Sequence, residues 1–462
     1  MREPVRVGIL GLGRSGRSAA RLALAAGSSV FASDAGDDEA VRAAAAEIRG
    51  LGGEAETGGH TVGRLAECDL LVVSPGIPPT IPLLRERRLA GVPWTSELEY
   101  AYRHLRSPVV AVTGTNGKTT VTAWIAHVLR EAGVDAVAAG NIGLPLSEVA
   151  LRPDPPHWVV AEASSYQLGR IDRFSPRTGV VTNLAPDHLD RYPDVASYYA
   201  DKKHLFDNAT HESTWVLNGE DPEVLALAAD APGRRLIFRA STPLQPGEAG
   251  AFTDVDGNLR LWVSGEDGVL VAATELKLLG GHNRANALAA ALAAYTVLGE
   301  PVALRSGLRS FPPLPHRLEP VAEVDGVLWI NDSKATNVAS SVVAVRSVER
   351  PLLLLVGGRH KGESYEPLAA ALEGRARAVL AYGEAADRLV TGLGRGVPVE
   401  AVRGSFEAVI ERAAELARSG DAVLLAPACA SFDMFRDYED RGTRFRQLVE
   451  ARARRGAEVA GG

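Results

Sequence analysis

Cysteine is almost missing from this chain. Only Cys68 and Cys429 occur among its 462 residues, too few for a disulfide framework and in keeping with a reducing compartment. No run of about 18 apolar residues is present, so no transmembrane helix is expected. "MREPVRVGILGLG" enters a strand pattern at once, so no signal peptide is expected and a cytoplasmic location is. Positive charge is in deficit: the net charge of −7 argues against a nucleic-acid partner, and no membrane partner is expected. A local basic cleft for small anions remains compatible with that total. Lysine is scarce too. Of 50 Lys plus Arg, six are lysines: Lys118, Lys202, Lys203, Lys277, Lys334 and Lys361. Where arginine is the default surface cation, a retained lysine marks a place that needs a compact ammonium or a titratable amine. Chance retention is the competing explanation at any single position.

What is present is a soluble globular composition, 46% hydrophobic and 23% charged, on a chain longer than one hydrophobic core usually serves. Short apolar runs alternate with Ala-rich helical stretches: "VRVGILGLG", "SVFASD" and "CDLLVVSPG" read as strands of a parallel sheet covered by helices. "HLRSP" (104–108) reads as a linker. After it "VVAVTG", "HWVVAEAS", "TGVVTNLA" and "STWVLNG" form a second α/β unit, with a β-rich insertion around "RRLIFRA" and "GNLRLWVS". The Pro-dense "FPPLPHRLEP" (311–320) marks another boundary. "GVLWINDS", "PLLLLVGG", "ARAVLAYG", "VPVEAVRG" and "DAVLLAPA" follow as strands of a third unit. The expected domains are 1–106, 107–312 and 313–462.

Gly11-Leu12-Gly13-Arg14-Ser15-Gly16 follows a strand and opens a helix, and Asp34 ends the next strand. This is the dinucleotide fingerprint with its acidic residue near the usual spacing. A nicotinamide-dependent oxidoreductase is one reading. The physics requires only that glycines let the backbone approach a diphosphate at a helix N-terminus, so a UDP-sugar fits equally, and a ligand-free tight turn is the bland alternative.

"AVTGTNGKTT" (111–120) looks like a phosphate-binding loop two residues short. Only Thr115 and Asn116 separate Gly114 from Gly117-Lys118-Thr119. The essentials survive: backbone N–H groups to curl around phosphates, a lysine for the terminal phosphate and a hydroxyl for Mg²⁺. Glu162 and His188 lie just past apolar strands, where parallel sheets present ligand-binding residues, and are candidate metal ligands together with Thr119. Lys202 is odd beside a cation site, because two positive charges repel. It becomes sensible if CO₂ converts its amine to an anionic carbamate.

Taken in order, "TGTNGKTT", "AEASSYQL", "NLAPDHLDRY", "KKHLF", "GGHNRANALAA", "LPHRLE" and "NDSKATN" resemble the Mur ligases, ATP-dependent amide-bond-forming enzymes of peptidoglycan synthesis. "INDSKATN" and "APACASFDMFRDYEDRG" are similar to the segments of the D-glutamate-adding members, and the Asp-Asn-Pro-Arg motif of diaminopimelate-adding relatives is absent. The resemblance implies an α/β chain of three domains: a Rossmann-like N-terminal domain for the UDP substrate, a P-loop-type ATPase centre, and a Rossmann-like C-terminal domain for the amino acid. It implies a monomer acting on UDP-N-acetylmuramoyl-L-alanine, D-glutamate and ATP, with two Mg²⁺ sites and a possible N6-carboxylysine at Lys202.

By the same resemblance Gly13, Arg14, Ser15 and Asp34 hold the uridine diphosphate, and Gly76, Asn141 and Ser164 extend the substrate path. Ala35-Gly36 stands where relatives carry Thr-Arg, a departure that affects the uracil contacts. Gly114 through Thr120 (Gly114, Thr115, Asn116, Gly117, Lys118, Thr119, Thr120), with Asn283, Arg317 and Asp332, correspond to the ATP site. Thr119, Glu162, His188 and Lys202 correspond to the metal positions, and Lys118, Glu162, His188 and Lys202 carry the catalysis. Lys334, Thr336, Lys361, Ser431, Phe432 and Tyr438 correspond to the D-glutamate pocket, and hinge closure near residue 313 is expected. The competing readings are another amide ligase, such as a sibling Mur ligase or a folylpolyglutamate synthetase, the oxidoreductase, and a non-catalytic binding or scaffold protein.

Overall fold

The computed structural model describes residues 6–78, 81–141, 143–187, 191–278, 280–394 and 396–460. Its chain forms two compact units, Met1–Glu275 with Arg284–Phe311, and Leu276–Asn283 with Pro312–Gly462.

The first unit holds two sheets. One is fully parallel, in the order β3-β2-β1-β4-β5, from β1 (Arg6–Leu10), β2 (Ser29–Ser33), β3 (Glu54–Glu56), β4 (Leu70–Val73) and β5 (Trp94–Ser96). The other comprises β6 (Val109–Thr113), β7 (Ala136–Gly140), β8 (Trp158–Glu162), β9 (Thr178–Val181), β10 (Thr214–Asn218), β11 (Arg234–Arg239), β12 (Gly250–Thr253), β13 (Asn258–Val263) and β14 (Glu266–Ala272). Its order is β14-β13-β12-β11-β10-β9-β6-β8-β7, antiparallel only at the β12–β14 end. The β-rich insertion expected within the second α/β unit extends its sheet: β11 pairs in parallel with β10, and β12 to β14 carry the same sheet outward. Strands β6 and β9 are buried at every position, as a parallel strand covered by helices on both faces must be.

One apolar cluster runs from Val7 and Ile9 of the first sheet to Leu217 and Ile237 of the second. Between the sheets the end of β5 and the helix Glu97–Tyr102 act as a polar brace. Ser96 Oγ donates to the Gln167 carbonyl at 2.9 Å, and Thr95 Oγ1 to that of Arg170 at 2.9 Å. The fully buried Glu99 carboxylate accepts the N–H groups of Asp172, Arg173 and Phe174 as well as the Arg103 guanidinium. Such charge-assisted bonds contribute roughly 1.5–3 kcal/mol each, which offsets the cost of burying the charge. Glu97, also fully buried, takes the N–H of Ser147 at 2.7 Å and its hydroxyl at 2.6 Å.

The second unit carries β15 (Glu319–Val324), β16 (Val327–Asn331), β17 (Leu352–Gly357), β18 (Ala376–Tyr382), β19 (Val399–Ala401) and β20 (Ala422–Leu425), in the order β15-β16-β20-β17-β18-β19. Only β15 is antiparallel. Strand periodicity divides its core: Leu352, Leu354 and Val356 face one layer, and Leu353 and Leu355 the other.

Candidate active site

Strand β6 runs into Gly114 and Gly117, which have φ of +136° and +82°, and the helix Lys118–Glu131 begins at once with no side-chain cap. Both glycines are required twice over. Positive φ disfavours any other residue, and an added Cβ would strike Thr182 Oγ1 at the first and Asn286 at the second. The uncapped helix start leaves the N–H groups of its first turn directed at the mouth of the loop. Thr119 and Thr120 sit in that turn, Thr120 buried. The outer edge is committed elsewhere: Thr115 N–H donates to the Asn183 carbonyl at 2.8 Å, and Asn116 N–H to Asn183 Oδ1 at 2.9 Å. Sequence reading missed Asn183, an asparagine in a loop with no spacing to single it out.

Two lysines converge on one oxygen. Lys118 Nζ donates to the Gly114 and Thr115 carbonyls at 3.0 and 2.8 Å, and Lys202 Nζ donates to the same Gly114 carbonyl at 2.8 Å. Lys202 ends the helix Val195–Lys203, is 1% exposed, and lies over the Tyr198 ring. Burial first, then the Lys118 charge, drive its pKa well below the usual lysine value, against the opposing pull of Asp187, Glu162 and Asp201.

Glu162 closes β8 and is 2% exposed. Its Oε1 accepts Asn141 Nδ2 at 3.0 Å, whereas its Oε2 is buried with no hydrogen-bond partner among the described residues. A buried carboxylate oxygen without a donor is costly, and a cation is what would satisfy it. The unpartnered oxygen suits Mg²⁺, which takes hard carboxylate ligands. His188 lies outside the described residues, and among those described no group of three His, Cys, Asp or Glu forms a metal cluster. Ser164 caps the helix Ser165–Leu168 in a reciprocal pair with Gln167, so its hydroxyl already has local work.

The first glycine turn is wired differently. Gly11 has φ of +87°, and a Cβ on Gly16 would overlap the Gly11 carbonyl. Asp34 at the end of β2 receives Leu12 N–H on Oδ2 at 2.6 Å and Gly36 N–H on Oδ1 at 2.7 Å. Gly13 and Arg14 are exposed and Ser15 is half-buried, while Gly76 is exposed on the loop after β4. The Arg14 guanidinium donates to the Gly143 carbonyl at 3.2 Å, two residues from Asn141.

In the second unit the expected residues gather at the carboxyl ends of β16, β17 and β20. Asp332 accepts Leu318 N–H at 3.1 Å; burial raises its pKa to about 7, only partly offset by that N–H and by Arg317. Lys334 Nζ donates to the Tyr438 hydroxyl at 3.1 Å, and Lys361 Nζ to Thr336 Oγ1 at 3.3 Å. The Tyr438 pKa is pushed up to about 12 by burial and by its bond to Glu439. Ser431 is buried, Phe432 is 63% exposed, and Asn283 is buried with its N–H on the Gly280 carbonyl.

Arg441, which sequence reading did not single out, ties this region together. It is fully buried and donates to Ser333 Oγ and the carbonyls of Ser333, Gly357 and Cys429, at 2.9 to 3.4 Å. Those acceptors lie after β16, at the end of β17 and after β20. Only a planar fork of five donors can join three loops in this way.

Three domain families match the chain: the MurD-like N-terminal domain of Mur ligases over 5–96, the Mur ligase middle domain over 112–294, and the Mur ligase glutamate ligase domain over 316–429. The UDP-N-acetylmuramoylalanine--D-glutamate ligase of Salinibacter ruber is 40% identical over 451 residues, 96% of this chain and 97% of that protein. Its namesake from Myxococcus xanthus is 41% identical over 450 residues, covering 96% and 98%. The solved UDP-N-acetylmuramate-alanine ligase of Thermotoga maritima shares the fold at a TM-score of 0.60 and 19% identity, over 97% of this chain and all of that one. The paired glycine turns, the meeting of Lys118 and the buried Lys202, and this full-length likeness have one reading: the chain belongs to the Mur ligase family.

Proposed function

We propose that this protein is an ATP-dependent ligase that joins D-glutamate to UDP-N-acetylmuramoyl-L-alanine through an acyl phosphate, in the synthesis of peptidoglycan precursors. The observation that carries this reading is the meeting of Lys118 and Lys202 on the Gly114 carbonyl, with Glu162 and its unpartnered oxygen within electrostatic reach of Lys202. A lysine in the first turn of a helix, as Lys118 is, suits a transferring phosphoryl group, and relatives about 40% identical over nearly the whole chain carry the corresponding name.

Residues 1–106 hold the uridine diphosphate, with Gly13, Arg14, Ser15, Asp34 and Gly76 along the path and Asn141 continuing it. Residues 107–312 bind ATP on Gly114–Thr120, and residues 313–462 bind the amino acid through Lys334, Thr336, Lys361, Ser431, Phe432 and Tyr438. Asn283, Arg317 and Asp332 complete the nucleotide contacts. The carboxylate of the alanyl substrate attacks the γ-phosphorus, the bond to ADP breaks, and Lys118 stabilises the equatorial oxygens as charge redistributes. The neutral amine of D-glutamate then adds to the acyl carbon, and its nitrogen gives up a proton to solvent. The tetrahedral oxyanion collapses, the carbon–oxygen bond to phosphate breaks, and phosphate leaves with one former carboxylate oxygen.

Thr119, Glu162, His188 and Lys202 are the residues to hold two Mg²⁺ ions. The ions supply neutralisation of phosphate charge. Lys202 suits that role as N6-carboxylysine: its burial favours a neutral amine, which adds CO₂ to form an N–C bond with loss of a proton, giving an anion. Phosphate release measured with ATP, UDP-N-acetylmuramoyl-L-alanine and each candidate amino acid in turn tests the assignment. Release is expected with D-glutamate, and release with L-alanine or a diaminoacid alone would redirect it to another ligase of the family.

A further inference from the structure

Beside Asp34 lies a hydrogen-bond cluster that the reaction does not use. Ser33 Oγ lies 2.8 Å from Glu56 Oε1, 3.2 Å from the Gly59 carbonyl and 2.7 Å from His60 Nδ1. Its single proton can serve only one of them. Burial alone would raise the Glu56 pKa, but the N–H and hydroxyl of Thr61 and the Ser33 hydroxyl outweigh it, so Glu56 is a carboxylate that only accepts. Were Ser33 to donate to His60 or Gly59, two lone pairs would face each other across 2.8 Å at Glu56. Ser33 therefore donates to Glu56, and His60 Nδ1–H donates to Ser33. The other ring nitrogen, Nε2, is left with a lone pair, and no described residue donates to it. Burial lowers the His60 pKa, against Asp34 and Glu56, which favours the neutral ring.

The position matters as much as the tautomer. Asp34 N–H donates to the Glu56 carbonyl and Gly59 N–H to that of Asp34, so the 56–61 loop borders the carboxylate at the end of β2. In a dinucleotide-type fold that carboxylate meets the ribose, and the base lies beyond it. We propose that His60 is a specificity-determining residue that reads the uracil ring, its Nε2 accepting the N3–H. This rests on the reading of residues 1–106 as the uridine diphosphate site. Uracil offers a donor at N3; cytosine offers a lone pair there, which would face that of Nε2. Sites built to pair a donor reject an isostere that lacks it.

The test uses the full chain with UDP and CDP as probes, in calorimetry and in ¹⁵N spectra of the histidine rings. Free protein is expected to show His60 protonated on Nδ1, with the Nε2 resonance moving on addition of UDP. His60→Phe is expected to weaken UDP binding at least tenfold and bring the UDP and CDP affinities together, with ATP binding unchanged. Ser33→Ala, which keeps the ring but releases its tautomer, is expected to reduce the discrimination partway. His60 protonated on Nε2, or a His60→Phe variant that keeps the wild-type preference for UDP over CDP, overturns the proposal alone. Wild-type protein that binds no UDP overturns it together with the N-terminal site.

Discussion

The two glycine turns of the first unit look alike in sequence: each follows an apolar strand and opens a helix. Their surroundings differ in sign. The Gly11–Gly16 turn faces a carboxylate, Asp34, and its own arginine, Arg14, is turned to the Gly143 carbonyl. The Gly114–Gly117 turn has the Nζ groups of Lys118 and Lys202 on its first carbonyl, with the buried Glu162 in electrostatic reach of Lys202. A turn that only holds a diphosphate needs backbone approach and shape. One that transfers a phosphoryl group needs fixed charge where negative charge moves, in a site largely closed to water. On the proposed reading, the contrast separates binding from chemistry within one unit.

The largest break in this comparison comes from Lys118→Ala. Turnover should fall by roughly 10³-fold or more, while UDP titration stays at the wild-type value. Equal loss of both would show that the turns are not divided in this way. Lys202→Met should also abolish turnover, yet raise stability. The lowered Lys202 pKa means that the unfolded chain keeps a proton the native chain releases, so native stability climbs with pH up to the ordinary lysine value of 10.5. With Lys202 uncarboxylated, denaturant melts of Lys202→Met against pH should lose that climb; an unchanged slope would refute the burial argument.

Arg441→Met sharpens the comparison from the other unit. Freed loops at β16, β17 and β20 should raise the KM for D-glutamate by about tenfold and leave UDP affinity alone. Arg441→Lys should recover little, because an ammonium cannot fork between three carbonyls. The smallest effect on activity is expected at Glu97, which accepts the N–H and hydroxyl of Ser147. Burial lifts its pKa to about 7 from 4.5, against the bonds from Ser147. The native state then holds a proton that the unfolded chain releases within that window. The stabilisation is full below 4.5 and lost as pH rises through about 7, a swing of roughly 1–3 kcal/mol. Glu97→Gln should flatten it in melts across that range.

Much of this was legible before any coordinates, and for physical reasons. Strands β6, β8, β16, β17 and β20 are continuous apolar runs because helices cover both faces, so their carboxyl ends locate the site. Lys118 declared itself by its glycines, and Lys202 by the scarcity of lysine around it. Short strands such as β3 and β12 left too little pattern to read. Arg441 was invisible because arginine is the common cation of this chain, and only burial distinguishes it. Asn183 acts through its contacts with Thr115 and Asn116, and His60 through one with Ser33 of β2, partners distant in sequence that no spacing encodes.

The central claim is that the substrate carboxylate is phosphorylated at the Lys118 turn. Oxygen-18 placed in the alanyl carboxylate of the UDP substrate tests it directly. With ATP and D-glutamate present, the account predicts one labelled oxygen in each phosphate released, and no label in ADP. Phosphate free of label would mean that the carboxylate never attacked the γ-phosphorus, and would contradict the account.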